Sequence, residues 1–99
     1  MKDLKAIKEK LMELQDTIKD RYKAEVIGIF GSYVHGRQKK GSDLDVLLRF
    51  YRGATLFEFV GLSIFLEEVL GIKVDVVPYD VLREEIEEKV LKEAVYLYE

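Results

Sequence analysis

Asp43 and Asp45 stand two residues apart in the run DLDVLLRF, and ten residues separate them from a Gly-Ser pair, Gly31 and Ser32, that closes another apolar run. In a strand, residues two apart project to the same face, so the two carboxylates lie side by side. Anions held that close raise each other's pKa unless something neutralises them, and a divalent cation does so. Hard oxygen ligands select Mg²⁺ or Mn²⁺; Mg²⁺ commonly takes one or two carboxylates and completes its octahedron with substrate phosphates and water. Asp75 is a third acid, set in the apolar stretch IKVDVV, where an unpaired carboxylate would be costly. If its strand neighbours the one that carries Asp45, it joins the same cluster.

Gly31 and Ser32 supply a complementary half. A glycine between a strand and a helical turn lets the backbone approach a ligand closely, and the free N–H groups of the turn favour an anion such as phosphate. Each feature also has an ordinary reading: the Asp pair as an exposed strand face, Gly-Ser as a plain turn and cap. Their combination, with Asp75, is what points to chemistry on a phosphate ester.

The elements that must position these residues follow from periodicity. Leu4, Ile7, Leu11, Leu14 and Ile18 recur at steps of three and four, a helical stripe spanning roughly residues 3 to 22. EVIGIF, residues 25 to 30, reads as a buried strand stopped by Gly31. SYVHGR is long enough for only a turn or two of helix, QKKGS is polar loop, and DLDVLLRF resumes a strand. TLFEFVGLSIFLEEVL, residues 55 to 70, is a second long helix with Thr55 as N-cap and Gly71 as its stop. It carries two apolar stripes, Leu56, Phe57, Val60 and Ile64 against Phe59, Leu62, Leu66, Val69 and Leu70; either a two-layer domain leaves part of one exposed, or both are buried between the sheet and the first helix. IKVDVV is a third strand, ended by Pro78. Asp80 can cap a last helix carrying Leu82, Ile86, Val90 and Ala94, which either frays or extends over VYLYE. The order implies an α/β (α+β) domain over residues 1–99, a small mixed sheet of three or more strands flanked by helices.

Composition limits the function classes. With 48% hydrophobic and 35% charged residues, the chain is that of a globular protein rather than a disordered tail. A net charge of -3 gives no general attraction to nucleic acid, so affinity for a polyanion must come from a local site. No membrane-length apolar stretch and no signal-peptide segment at the start leave the cytoplasm as the expected location. The absence of Cys excludes disulfides and thiolate metal sites. No G-x-x-x-x-G-K-[ST] and no G-x-G-x-x-G string is present, which argues against a P-loop ATPase and a Rossmann dehydrogenase.

The string GSYVHGRQKKGSDLDVLL, with Asp75 on a later strand, resembles the nucleotidyltransferase signature of the DNA polymerase β superfamily. Within it, the chain is similar to the minimal nucleotidyltransferases, many of them antitoxins paired with a HEPN-domain toxin. The resemblance runs from about residue 26 to 77 and includes the closing KEAVYLYE. It implies a nucleotidyltransferase fold in which Gly31, Ser32 and Ser42 hold the nucleotide triphosphate. Asp43 and Asp45 would ligate two Mg²⁺ ions, and Asp75 would help bind the catalytic metal and activate the acceptor hydroxyl. Family members often carry Arg where this chain has His35, and Arg37 is the residue available to take over a nucleotide contact. His35 otherwise reads as an exposed or hydrogen-bonding residue of a polar turn, and Arg37, Lys39 and Lys40 as a solvated loop.

The resemblance therefore implies transfer of AMP, or another NMP, from ATP or another NTP to a hydroxyl, with the tyrosine of a partner HEPN toxin as the expected acceptor. Little chain is left over to form an acceptor domain, so the acceptor is expected to bring its own docking surface. The alternative is an antitoxin that neutralises its partner by occlusion, its acidic site binding metal or nucleotide without turnover. A second copy of the chain is the other candidate partner, through whichever stripe of the second long helix stays exposed.

Overall fold

The computed structural model describes residues 3–36, 42–80 and 88–98. Its elements run in the order α1 (Leu4–Tyr22), β1 (Ala24–Phe30), β2 (Leu44–Phe50), α2 (Leu56–Leu70), β3 (Val74–Pro78), α3 (Glu88–Glu93) and β4 (Val95–Tyr96). Asp3 caps α1, its side chain accepting from the Ala6 N–H at 2.8 Å. The α1 stripe is inside as the periodicity requires: Ile7, Leu11 and Ile18 are fully buried, with Leu4 and Leu14 packed against them.

The four strands lie in the order β3-β2-β1-β4. β1 pairs antiparallel with both β2 and β4, while β2 and β3 are parallel. Parallel neighbours cannot be joined by a tight turn, and α2 is the crossover between them. Thr55 and Glu58 close a reciprocal capping box at the start of α2, and Gly71 ends it in the left-handed conformation (φ 71°), as expected of those residue types. α1 packs on β1, α2 on β3, and the two helices on each other. Leu62, Leu66 and Leu70 of α2 complete the core, with Phe59 and Val69 against it.

Two expectations need correction. Residues Ser32–Gly36 form a chain of turns rather than helix: the Gly31 carbonyl accepts from both the Val34 and His35 N–H groups (3.1 and 3.4 Å), and among the described residues no ladder continues beyond them. The third strand does end at Pro78, its last residue, which lies opposite Leu48. β3 is an edge strand, where a residue without an N–H costs no ladder bond. The terminal VYLYE neither frays nor extends a helix: α3 stops at Glu93, short of Ala94, and Val95–Tyr96 become the fourth strand against Gly28 and Ile29. Gly28 makes this possible, since a Cβ there would sit 2.6 Å from the Val95 carbonyl oxygen. Leu82, Ile86 and the side chain of Val90, assigned to the last helix, lie outside the described residues.

An interaction invisible to periodicity joins α1 to the sheet. Gln15, 5% exposed, donates its amide N–H to the Val26 carbonyl at 3.0 Å and accepts from the Val26 N–H at 2.8 Å. β4 reaches only Gly28 and Ile29, so the helix side chain supplies what a longer fourth strand would have supplied to β1.

Candidate active site

The antiparallel run of β1 into β2 and the parallel placement of β3 bring one end of each strand to the same rim of the sheet. Phe30 at the end of β1 faces Asp45 near the start of β2, and Asp45 faces Asp75 on β3. Gly31 follows Phe30 with a φ of 84°, a conformation that L side chains rarely adopt. A Cβ at Gly31 would run into the Asp45 carboxylate, its Cγ only 3.0 Å away. Gly31 is therefore required twice, once for the turn and once to leave space for Asp45. Buried Tyr33 anchors the turn in the core.

The three acids are not equivalent. Asp45 is half-buried, whereas Asp43, one residue before β2, and Asp75 are exposed. The reading of Asp75 as a carboxylate enclosed by apolar neighbours is thus corrected: Val74 and Val76 point into the core and Asp75, between them, points out from the edge strand. Asp45 carries the electrostatic cost instead. Burial, the charge of Asp75, the charge of Asp43 and a side-chain hydrogen bond with Asp75 all push its pKa up, from an ordinary 3.8 to about 6. Two carboxyl groups can share a hydrogen bond only when one holds a proton, and a bound cation removes that need.

Among the described residues no three His, Cys, Asp or Glu side chains already converge as a ligand set. What is assembled is the Asp45–Asp75 pair with Asp43 within electrostatic reach. This all-oxygen donor set, in which each neighbour acting on Asp45 opposes its ionisation, fits a hard divalent ion.

The strands that carry the acids are held at their starts. The Leu44 N–H donates to the Lys73 carbonyl at 2.8 Å, and Glu67 of α2 accepts from the Val74 N–H at 3.0 Å. At the turn, the Ser32 and Tyr33 N–H groups make no backbone hydrogen bond among the described residues, which suits them to an anion beside the acids. Ser42 precedes Asp43 at the same rim. Arg37, like Lys39 and Lys40, lies outside the described residues.

His35 was the residue least legible in advance. Its Nε2 lies 3.1 Å from Glu93 Oε2, a contact between residues 58 apart in sequence. The hydrogen-bonding reading of His35 is the one observed. Glu93 carried no prior signal, because nothing local marks it as a partner of the turn.

Residues 11–97 match the family described as the nucleotidyltransferase domain. The protein adenylyltransferase MntA of Thermococcus cleftensis is 37% identical over 97 residues, covering 98% of each chain. A solved structure described as a candidate minimal nucleotidyltransferase superposes with a TM-score of 0.75 at 34% identity, covering 95% of each chain. One chain of a solved complex, described as a tri-AMPylated HEPN toxin of Shewanella oneidensis with an MNT antitoxin, has the same fold, with a TM-score of 0.63 at 20% identity over 96% of this chain and 71% of that one. With the acids, the glycine turn and the sheet order in the arrangement just described, the chain belongs to the nucleotidyltransferase domain family.

Proposed function

We propose that this protein transfers AMP from ATP to a hydroxyl group of a partner protein, most simply a tyrosine of a HEPN-domain toxin, and so acts as an antitoxin. The observation that carries the reading is the placement of Asp45 opposite Asp75, beside a glycine turn that a side chain would block. Support for a protein acceptor comes from the adenylyltransferase name of the Thermococcus relative and from the AMPylated toxin in the complex of like fold.

Each step falls to named residues. The Ser32 and Tyr33 N–H groups receive triphosphate oxygens at the turn, with Ser42 at the same rim. Asp43, Asp45 and Asp75 would hold Mg²⁺, or Mn²⁺, which when bound offsets the triphosphate charge and lowers the pKa of the attacking hydroxyl. Asp75, exposed on the edge strand, is open to a hydroxyl arriving from outside and takes its proton. The acceptor oxygen then bonds to the α-phosphorus, the bond from that phosphorus to the bridging oxygen breaks, and pyrophosphate leaves.

The docking surface assigned to the partner is the outer face of α2. Leu56 and Phe57 are 74% and 88% exposed, followed along the helix by exposed Val60 and Ile64. This is the stripe that the core does not use. Between residues 56 and 70 the helix has three acids, Glu58, Glu67 and Glu68, and no Lys or Arg. Two copies meeting through α2 would bring like charges together; a partner with apolar side chains rimmed by basic ones is complementary.

The test is intact-mass spectrometry of a purified HEPN partner incubated with this protein, ATP and Mg²⁺. The expected result is AMP added to the partner, lost with Asp75→Asn. Blocked toxicity without added AMP would transfer the case to occlusion, which the exposed α2 face favours independently of the chemistry.

A further inference from the structure

We propose that His35 and Glu93 form a positioning latch, through which the C-terminal segment holds the triphosphate-binding turn in its binding conformation. The inference rests on the nucleotide-binding reading of that turn and adds to it a distant pair of residues and a route of influence. His35 is the fourth residue of the turn that begins at Ser32, and its N–H donates back to the Gly31 carbonyl at 3.4 Å. Its Nε2 reaches Glu93 Oε2 at 3.1 Å; an ionised carboxylate only accepts, so Nε2 donates.

Glu93 is well held. It is the last residue of α3, and β4 begins two residues later. β4 is paired with Gly28 and Ile29 of β1, the Leu97 N–H donates to the Ile27 carbonyl at 2.9 Å, and Leu97 is buried. The Tyr96 hydroxyl donates to the Leu91 carbonyl at 2.6 Å, fixing α3 against β4. The C-terminal segment thus grips the strand entering the turn, through β4, and the far end of the turn, through Glu93. Between those two points lie Gly31, Ser32 and Tyr33.

A loop anchored at one end only must lose conformational freedom when its N–H groups gather around an anion. Anchored at both ends, it has lost much of that freedom already. The latch therefore acts on nucleotide affinity and not on the transfer step. His35 and Glu93 satisfy each other in this arrangement, so neither is assigned a contact with the nucleotide.

The test uses the full chain and a fluorescent ATP analogue with Mg²⁺, titrated against the wild type, His35→Ala, Glu93→Ala, the double variant and His35→Gln. A hydrogen bond to a charged group, once lost, is expected to weaken binding about tenfold. The expected pattern is an equal loss in both single variants, no further loss in the double variant, and recovery in His35→Gln, which keeps an N–H donor. With a transfer assay, the same loss appears in KM for ATP and not in kcat. Thermal melting identifies any variant that fails to fold, and His35→Phe with Glu93→Met, which keep bulk but neither donor nor acceptor, then replace the alanine pair.

Wild type that binds nucleotide while both single variants bind equally well overturns the latch alone. Loss in His35→Ala without loss in Glu93→Ala also overturns it, and indicates direct contact of His35 with the nucleotide. Wild type that binds no nucleotide overturns the reading of the turn and the latch with it.

Discussion

Asp45 and Asp75 face each other in register on adjacent parallel strands, with the more buried of the two on the inner strand. Asp45 takes up a proton below about pH 6 that a bound metal ion would displace, and pH therefore tests the pair. Asp45 has a pKa raised to about 6 in the folded protein against an ordinary 3.8. Between those values the folded chain binds more protons than the unfolded one, so this group makes stability fall as pH rises, with the full loss present above pH 6. A metal ion bound at the proposed site would offset that loss. The thermal midpoint gained on adding Mg²⁺ or Mn²⁺ should be larger at pH 7.5 than at pH 5, read by calorimetry at about equal ionic strength. Asp45→Asn should stabilise the metal-free protein at the higher pH and abolish most of the metal-dependent gain.

Asp75 lies on the edge strand, apart from Asp43 and Asp45 on the β2 side, and the proposal gives it a separate role. Asp75→Asn should abolish transfer while leaving Mg²⁺-nucleotide binding measurable, whereas Asp43→Asn and Asp45→Asn should weaken both. Parallel titration and turnover measurements decide it. Equal, mild effects of the three substitutions would refute the assignment.

On α2, a side chain 88% exposed contributes little to folding, so Phe57→Ser should change stability by no more than about 0.5 kcal/mol in urea denaturation. Binding to a HEPN partner should nonetheless fall more than tenfold, because a large apolar anchor is removed from the contact. Leu56→Ser should behave alike. Sedimentation at high concentration should show no self-association that these substitutions abolish.

Gln15 makes the opposite case, a polar residue whose removal is expensive. Gln15→Leu keeps the volume but leaves the Val26 N–H and carbonyl without their partners. Urea denaturation should show a loss of about 3 kcal/mol, since each buried unsatisfied group costs about 1 to 3. A loss below about 1 kcal/mol would mean that water takes the amide's place.

The local code of the chain was enough for the elements that depend on near neighbours. The stripe from Leu4 to Ile18, the Thr55 cap, the Gly71 stop and the two faces of α2 are all properties of residues three or four apart, and the structure has each of them. The Gly31-Ser32 and Asp43-Leu44-Asp45 spacing, with Asp75 on a later strand, was enough to single these residues out, and the fold brings them to one rim of the sheet. What no local pattern could decide was strand order. Only the pairing of β3 beside β2 sets Asp75 on an exposed edge and leaves Asp45 as the acid with the raised pKa. Only the return of Val95–Tyr96 to Gly28 and Ile29 turns a short tail into a strand, and brings Glu93 to His35. Backbone pairing depends on register between segments tens of residues apart, and Gln15 shows the same logic in a side chain: its amide matters because β4 ends before reaching Val26.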